Sequence, residues 1–373
     1  MKAAQKFTWK SKKPDNWVLN VQIFPQANSF VSSSSDGSLN FYLLNKISSD
    51  PLATNENAHE GAINSLVKIE NDMVGSCATD GLKVWDLRLS GDPVYHLTHG
   101  QASNMLSLAY SNHRIAAGTE LHGTDAELHI WDLRNPKDVV RTFADSHHDD
   151  ITSIEFHPIF SNYLMSGATD GYVNIYNLKE QDEEDALHQV INYASVHSCT
   201  FTQEKRIAVL SHMETLAFYE LNNTNYEIAE EPAPHDIGDV RGLWKDCEYV
   251  VDLSLSGYIT YGANSKLNLT LLRFNPIAET FDLENPIQFP EAHGDEVVRD
   301  LKVLGNLSLT CGEDGNIKLW ELPSKVQTYS VSGKEEYMNT DDDTTRHTRK
   351  DVSKEHKKKK KKKEKKDIRF KPY

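Results

Sequence analysis

The stretch "ATDGLKVWDLR", residues 78–88, places an Asp-Gly pair ahead of alternating apolar and polar residues that end in a tryptophan. Asp-Gly supplies the positive φ angles of a tight hairpin, and alternation with a period of two is the pattern of a half-buried β-strand. The stretch therefore predicts a turn that enters a strand. If it recurs along the chain, it indicates a repeated unit of the fold, because a catalytic constellation is needed only once.

The stretch does recur. Further copies are "SSDGSLNFYLL" (34–44), "GTDAELHIWDLR" (123–134), "ATDGYVNIYNL" (168–178) and "GEDGNIKLWEL" (312–322), with degenerate forms in "SHMETLAFYEL" (211–221) and "SKLNLTLLRF" (265–274). The aromatic positions of the seven copies are Tyr42, Trp85, Trp131, Tyr176, Tyr219, Phe274 and Trp320, separated by 43, 46, 45, 43, 55 and 46 residues. This period matches the roughly 40–45 residues of a four-stranded propeller blade.

A histidine precedes an upstream strand in three of the units: His59, His147 and His293. The order of histidine, Asp-Gly and tryptophan resembles the WD-repeat β-propeller family, and the general layout with its basic tail is similar to the WD-repeat-containing protein 89 group. The resemblance implies a buried hydrogen-bonded network of His, Ser or Thr, Asp and Trp in each blade. The matching positions are His59, Asp80, Trp85, Asp125, Trp131, His147, Asp170, Tyr176, His293, Asp314 and Trp320. The Ser/Thr position appears as Ala78, Ala168 and Gly312, so the networks are expected to be incomplete.

The predicted fold is all-β, a seven-bladed WD-repeat β-propeller with a disordered basic C-terminal tail. Residues 1–14 are an N-terminal segment in which "KFTWK" (6–10) is expected to complete the last blade, because closure of the ring leaves only short sheet edges. Residues 15–332 are the propeller, and residues 333–373 are the tail, whose polar composition cannot bury a core.

One spacing has two possible explanations at this point. Asp80 lies five positions before Trp85, whereas in the other copies with an aspartate it lies six positions before the aromatic residue. A shift of one residue turns a strand's side chains to the other face. Either the hairpin is tighter in this unit, or Thr79 takes the usual place of the aspartate.

Charge is divided unevenly along the chain. The net formal charge is −15, but residues 333–373 contain 16 Lys and Arg against 9 Asp and Glu, a net of +7 that leaves −22 for residues 1–332. An acidic body favours basic partners. Two acidic stretches, "QDEED" (181–185) and "EEPAPHD" (230–236), are the predicted surfaces for a basic protein segment.

The tail carries a lysine run that indicates nuclear import. The candidate residues are Lys357, Lys358, Lys359, Lys360, Lys361, Lys362, Lys363, Lys365 and Lys366. Importin is the expected partner, and nucleic acid would be held only weakly through the same lysines, since contacts to phosphates do not distinguish bases. The alternative is a solvated low-complexity tail. A Lys-rich end of this kind is similar in composition to those of nucleolar ribosome-assembly factors.

The sequence "WDLR" occurs in two consecutive units. This doublet resembles the motif by which many propellers dock onto the adaptor of cullin-type ubiquitin ligases, and the resemblance makes Asp86, Arg88, Asp132 and Arg134 the contact candidates. Arginine guanidinium groups suit bidentate contacts to carboxylates. The alternative is an ordinary repeat sequence with an ion pair inside each turn.

Motifs for catalysis and cofactors are lacking in the sequence. It has no Gly-rich phosphate loop, no G-x-S-x-G, no H-E-x-x-H and no Cys/His metal spacing. Cys77, Cys199, Cys247 and Cys311 are far apart and are expected to be buried, reduced thiols. We therefore expect no catalytic, cofactor or metal site and no membrane contact. The predicted function is a noncatalytic scaffold of the nucleus or nucleolus, with a ubiquitin-ligase substrate receptor as the alternative.

Overall fold

Seven antiparallel sheets, each with four principal strands, make up the computed structural model of this protein. The structure describes residues 1–329, except 12, 14, 46–47, 71, 90, 101–103, 223–231 and 254–256, together with the backbone of Glu335–Glu336. The predicted all-β, seven-bladed propeller is confirmed. The tail lysines 357–366 lie outside the described residues.

The strands of the first four blades are given in chain order. Blade 1 has Val18–Phe24, Ser29–Ser34, Leu39–Leu43 and Ala53–Asn55; blade 2 has Ser65–Ile69, Met73–Ala78, Gly81–Asp86 and Tyr95–Leu97. Blade 3 has Met105–Ser111, Arg114–Thr119, Ala126–Asp132 and Arg141–His147; blade 4 has Ile151–Phe156, Tyr163–Ala168, Tyr172–Asn177 and Leu187–Asn192.

The last three blades follow the same plan. Blade 5 has Val196–Gln203, Arg206–Ser211, Thr215–Glu220 and His235–Asp239; blade 6 has Tyr249–Asp252, Tyr258–Ala263, Asn268–Asn275 and Ile287–Pro290. Blade 7 has Val298–Leu304, Leu307–Gly312 and Asn316–Glu321, and its fourth strand is Ala4–Lys10 from the chain's beginning. Shorter elements are the α-helices Glu183–Ala186 and Val240–Leu243, the 3₁₀ turns Pro25–Ala27 and Asn264–Lys266, and the strands Thr280–Phe281, Thr328–Tyr329 and Glu335–Glu336.

The ring closes through the first strand of the chain. Ala4–Lys10 pairs antiparallel with Asn316–Glu321, so that Trp9 lies opposite Ile317 and Lys10 opposite Asn316. Trp9 is 2% exposed and packs against Phe30 and Tyr42 of blade 1, with ring centroids 5.1 Å and 5.6 Å away. One tryptophan thus joins the end of the propeller to its beginning.

The blades are held together by apolar side chains at all seven junctions. Each sheet is buried on both faces, because alternate residues along its strands point to the preceding and the following blade. In blade 2, Val74 and Trp85 pack on Val31 and Leu39 of blade 1, whereas Leu82 and Val84 pack on blade 3. An isolated blade would expose both of these faces to water, so the sheets are stable only as a closed ring.

Polar contacts tie the first strand of a blade to a carboxylate of the neighbouring blade. The backbone N–H of Val21 donates to Asp300 of blade 7 at 2.9 Å, that of Phe201 to Glu155 of blade 4 at 3.0 Å, and that of Val250 to Glu214 of blade 5 at 2.9 Å. These donors are on the edge strand of each sheet, where no ladder partner is present. Burial raises the pKa of Glu155 to about 7, although its hydrogen bonds act in the opposite direction.

The aromatic position predicted for the sixth unit needs correction. In the other blades the third-strand aromatic residue pairs with the second residue of the second strand, as Tyr219 pairs with Ile207. The residue with that pairing in blade 6 is Leu272, opposite Ile259. Phe274 lies two residues further along, on the same face, and stacks on Phe218 of blade 5. The sequence alignment was misled because an aromatic side chain can fill this interface from either position.

We predict that replacing Trp9 by alanine destabilises the protein strongly, because Trp9 is buried at the junction that closes the ring. Truncation of a buried tryptophan to alanine costs about 3–5 kcal/mol. Trp17→Ala is a matched control, since Trp17 is 41% exposed and is expected to cost much less. Urea unfolding followed by circular dichroism gives both values, and equal losses for the two variants would show that Trp9 does not hold the junction.

Candidate functional site

A buried hydrogen-bonded network connects two strands, a turn and a loop in blade 2. The Trp85 Nε1–H donates to the Ser76 hydroxyl at 2.8 Å, and Ser76 Oγ lies 2.7 Å from His59 Nε2. The other ring nitrogen, His59 Nδ1, is 2.6 Å from Asp80 Oδ1 in the turn. Lys83 Nζ donates to the second oxygen of Asp80 at 2.6 Å.

Blade 7 repeats this network, and blade 4 repeats it with a tyrosine. In blade 7, Trp320 Nε1 donates to Thr310 at 3.0 Å, and His293 bridges Thr310 and Asp314 at 2.8 Å and 2.6 Å. In blade 4, His147 bridges Ser166 and Asp170 at 2.7 Å and 3.0 Å, while the Tyr176 hydroxyl is 3.5 Å from Ser166 Oγ.

The expectation that these networks lack their hydroxyl residue is wrong. Ser76, Ser166 and Thr310 supply the hydroxyl, two residues before the predicted positions Ala78, Ala168 and Gly312. Residues two apart on a strand share a face, so both positions point toward the same neighbouring blade. Only the strand register reveals which of the two lies within hydrogen-bonding reach of the tryptophan. The sequence did contain this signal, since a serine or threonine lies two residues before the predicted position in all three copies.

The proton positions in these networks follow from donor chemistry. An indole N–H can only donate, so the hydroxyl oxygen accepts it and sends its own hydrogen to His Nε2. The remaining nitrogen, Nδ1, then carries the hydrogen that is donated to the aspartate. Burial lowers the pKa of His59 and His293, in spite of the opposing bonds to Asp80 and Asp314, which agrees with a neutral imidazole. The indole N–H, the hydroxyl and both imidazole nitrogens therefore each have a hydrogen-bond partner, and the network braces the blade.

Asp80 itself keeps a lowered pKa. Burial acts to raise it, but the hydrogen bonds from Lys83 and His59 outweigh that effect, and the same balance holds for Asp314 with His293 and Asn316. The carboxylates are therefore ionised acceptors at neutral pH.

The irregular spacing in blade 2 is explained by a shorter hairpin. Cys77 pairs with Leu82, whereas the equivalent Cys311 pairs with Ile317, so the turn of blade 2 has one residue fewer. Asp80 contacts His59, which leaves no place for Thr79 in the aspartate position. Trp85 still pairs with the residue two before the serine and keeps its face.

Two repeat positions in blade 3 do not form such a network. Asp125 is 2.7 Å from Nδ1 of the exposed His148 and accepts from Thr124 at 2.5 Å. Trp131 is buried in the junction with blade 2, next to His129, whose ring centroid is 5.6 Å away. The residue at the hydroxyl position, opposite His129, is Ala117. Blade 3 is therefore held by packing and not by a hydroxyl relay.

The four docking candidates form two ion pairs, each within its own turn. Arg88 Nε and NH2 donate to Asp86 at 2.9 Å and 2.6 Å, and Arg134 binds Asp132 in the same way at 2.9 Å and 2.5 Å. Both arginine side chains are 68% exposed. The same bidentate pair joins Arg241 to Asp239, where the WDxR sequence is absent. An aspartate followed two positions later by arginine thus pairs locally, with or without a docking role.

The loops between the third and fourth strands lie at one end of the propeller, which we name the lower face. The two WDxR turns occupy it in blades 2 and 3. In blade 4 it carries Glu180, Asp182, Glu184 and Asp185, all exposed, and in blade 6 the exposed Glu284. Asp236 is exposed at the start of the fourth strand of blade 5, whereas the first two residues of "EEPAPHD" lie outside the described residues.

Not every acidic residue of this face is available to a partner. Glu183 accepts from the backbone N–H groups of Ala144 and Asp145 at 3.0 Å and 3.1 Å. Glu279 accepts from Arg206 at 2.6 Å and contacts His235 at 2.8 Å. These two carboxylates hold neighbouring segments, so the remaining exposed acids are the ones free to meet a basic ligand.

Neither a metal-binding cluster nor a membrane-spanning helix is found among the described residues. No group of three or more His, Cys, Asp and Glu side chains among them is placed to hold a metal ion. In the same part of the chain, no helix has the length and apolar character needed to traverse a bilayer. All four cysteines are buried without a disulfide, and burial raises the pKa of the Cys199 and Cys247 thiols to about 12.

Comparison with known proteins supports the repeat assignment. The family described as "WD domain, G-beta repeat" matches residues 137–177 and 284–321. Both matches run from the fourth strand of one blade to the third strand of the next, and they cover blades 4 and 7, which contain complete histidine networks.

Three relatives illustrate the range of similarity. A WD repeat-containing protein of Saccharomyces cerevisiae is 47% identical over 274 residues, 71% of this chain and 69% of the relative. The WD repeat-containing protein 89 homolog of Dictyostelium discoideum is 31% identical over 44% of each chain. The ribosome biogenesis protein WDR12 homolog of Oryza sativa subsp. japonica is 25% identical over 43% of this chain and 42% of its own. The last two alignments span less than half of the relatives' length.

We predict that Ser76→Ala lowers the free energy of unfolding by about 2–4 kcal/mol. The change leaves the Trp85 Nε1–H and His59 Nε2 buried without a partner, and each such group costs about 1–3 kcal/mol. Ser308→Ala is the control, because the Ser308 hydroxyl is buried and has no hydrogen-bond partner, so its removal is expected to be neutral or stabilising. Denaturant unfolding measures both, and equal effects would mean that the network does not brace the blade.

Proposed function

Because this chain belongs to the WD-repeat family of β-propeller proteins, we propose that it is a noncatalytic scaffold that holds partner proteins in a nuclear assembly. The proposed partners present basic segments to the lower face. The assembly is one of ribosome formation in the nucleolus. Family membership supports the scaffold role, since propellers of this family commonly bind other proteins. The basic partners and the nuclear setting are inferred from the charges of the lower face and of the tail.

The observation that carries the proposal is the run of exposed carboxylates across blades 4 to 6 of the lower face. Glu184 and Asp185 follow the third strand of blade 4, Asp236 lies in blade 5 and Glu284 in blade 6. They are mounted on a ring whose blades are braced by buried networks and apolar junctions, so their spacing is held before a partner arrives. Preorganised charges of one sign speed association with an oppositely charged partner and select its orientation.

Two further observations support a nuclear setting. The tail contains the lysine run 357–363, which has the composition of an import signal that importin binds. One relative is named as a ribosome biogenesis protein, although the aligned region is 25% identical and covers less than half of that protein. The acidic propeller would repel nucleic acid, so any contact with RNA is assigned to the tail lysines.

The ligase-receptor alternative is favoured by one observation, the repetition of exposed arginines on the lower face at Arg88 and Arg134. Both guanidinium groups already bind a carboxylate of their own turn, which accounts for the motif without an adaptor. The affinity-purification experiment on the lower face therefore includes a variant that tests the ligase-receptor alternative.

We predict that the triple variant Glu184→Lys, Asp185→Lys, Glu284→Lys loses its basic partners. Reversal of three exposed charges turns attraction into repulsion and is expected to lower partner recovery about tenfold, equivalent to about 1.4 kcal/mol. Affinity purification of the tagged full-length chain with quantitative mass spectrometry measures recovery. The expected proteins are nuclear, with Lys- and Arg-rich segments that crosslink to the lower face.

The matched control reverses three exposed acids at the opposite end of the propeller, in Glu60→Lys, Asp295→Lys, Glu296→Lys, with the same change in net charge. Equal losses of partner recovery in both variants would show that the effect comes from net charge alone, and would contradict a lower-face site. A third arm, Arg88→Ala with Arg134→Ala, separates the alternative. Selective loss of a cullin-ligase adaptor in this arm would support the receptor function instead of the scaffold.

We predict that a fluorescent fusion lacking residues 357–366 moves from the nucleus to the cytoplasm. The deletion removes nine lysines and leaves the propeller strands intact. The intact fusion is the reference, and fluorescence microscopy gives the nuclear fraction of each. Retention of the shortened fusion in the nucleus would contradict import through the tail.

A further inference from the structure

A polar pocket opens at the junction of blade 7 and blade 1. It corresponds to the region where blades 2, 4 and 7 hold their network histidine. Its walls include Trp9 of the closing strand and Ser32, Asp36 and Tyr42 of blade 1. Trp9 and Tyr42 supply aromatic surface, and Ser32 and Asp36 supply a hydroxyl and a carboxylate. The pocket belongs neither to the lower face nor to any intact histidine network.

Strand register shows that these residues are the equivalents of a histidine network. Ser32 pairs with Asn40, and Tyr42 pairs with the residue two before Ser32, just as Trp85 pairs with the residue two before Ser76. Asp36 sits in the turn between these strands. Its Oδ1 accepts from the backbone N–H two residues later at 3.0 Å, which is also how Asp314 is held in blade 7. Hydroxyl, carboxylate and aromatic residue are therefore all in place.

The imidazole is the missing member. The network histidines lie seven or eight residues before the first-strand residue that pairs with the hydroxyl residue, for example His59 before Leu66 and His293 before Leu301. In blade 1 that residue is Val21, and the same count leads to Lys13 or Pro14. The Lys13 ammonium reaches Asp36 Oδ2 at 2.7 Å from a half-exposed position, as Lys83 reaches Asp80 in blade 2. Asp36 Oδ1 is the equivalent of the oxygen that contacts His293, and none of the described histidines hydrogen-bonds to it.

The Ser32 hydroxyl is left without a hydrogen-bond partner although the residue is 1% exposed. Burial raises the pKa of the neighbouring Tyr42 phenol to about 12, whereas Ser32 acts to lower it. The Ser32 and Tyr42 oxygens nevertheless do not meet hydrogen-bond geometry. A buried hydroxyl without a hydrogen-bond partner is unfavourable, so one that lines a pocket is suited to a ligand that completes it.

We propose that this pocket, the blade 1 pocket, binds an imidazole ring, with one ring nitrogen accepting from the Ser32 hydroxyl and the other donating to Asp36. In blades 2, 4 and 7, an imidazole bridges the corresponding two groups at distances of 2.6–3.0 Å. The ring comes either from a small imidazole compound or from a histidine side chain of another protein. This site does not depend on the proposed scaffold function.

The test is a titration of the ¹⁵N-labelled full-length chain with imidazole at pH 8, followed through tryptophan indole N–H signals. The Trp9 side chain lines the blade 1 pocket, its indole N–H donates to the Ser48 carbonyl at 2.7 Å, and Trp9→Phe assigns its signal. We expect a saturable shift of the Trp9 signal with the Trp85 and Trp320 signals unchanged. Cyclopentanol, a ring of similar size without nitrogen, is expected to produce no such shift.

Variants separate binding from folding. Ser32→Ala and Asp36→Asn are each expected to weaken imidazole binding tenfold or more, and Ser32→Ala removes a hydroxyl whose oxygen has no hydrogen-bond partner in the free protein. Ser308→Ala, which removes another buried hydroxyl without a partner, should bind imidazole normally. Lys13→His supplies the ring within the chain and is expected to shift the Trp9 signal without ligand and abolish the titration.

A second ligand identifies the source of the ring. If the blocked tripeptide Gly-His-Gly gives the same saturable shift, the site accepts a protein histidine; if only free imidazole does so, the site takes a small molecule. The proposal is overturned if no saturable shift occurs, if Ser32→Ala and Asp36→Asn bind imidazole as tightly as the unaltered chain, or if all tryptophan signals move together.

Discussion

The packing of each sheet on two neighbours is the constraint on which this structure depends. A four-stranded sheet with apolar side chains on both faces cannot exist alone in water, and a row of such sheets would leave one face bare at each end. Pairing of Ala4–Lys10 with Asn316–Glu321 removes both ends at once. Trp9 then fills the last junction, so residues that are more than 300 positions apart stabilise each other.

The hydrogen-bonded networks are a second layer built on that packing. Trp85, Ser76, His59 and Asp80 come from two strands, a turn and the loop before the first strand, and they satisfy one another only when the junction excludes water. Inside a low-dielectric junction such bonds are strong when complete and costly when one member is missing. This propeller therefore tolerates a blade such as blade 3 that replaces the network by packing, but a half-complete set such as Ser32 and Asp36 leaves an open polar site.

The same arrangement explains how a rigid body presents different surfaces. Buried histidines and aspartates recur from blade to blade because every junction needs them, whereas the loops between third and fourth strands differ in each blade. Arg88 and Arg134 are at one side of the lower face and Glu184, Asp185 and Glu284 at the other. Because the loops contribute little to the junctions, their charges can change without loss of the fold.

Most of the fold followed from the sequence, since a period of about 45 residues with Asp-Gly turns and alternating strands has few other solutions. The histidines and aspartates of the networks could also be located, because a turn residue and a loop residue have local signatures. The hydroxyl residue could not, because Ser76 and Ala78 lie on the same face and only strand register distinguishes them. Register likewise decided that Leu272 and not Phe274 matches the third-strand tryptophan, and that Ser32 faces a pocket. The repeat and its turns were thus determined by the sequence alone, and the completeness of each network was decided by tertiary structure, because hydrogen bonding across a junction depends on which side chains two separate strands bring opposite each other.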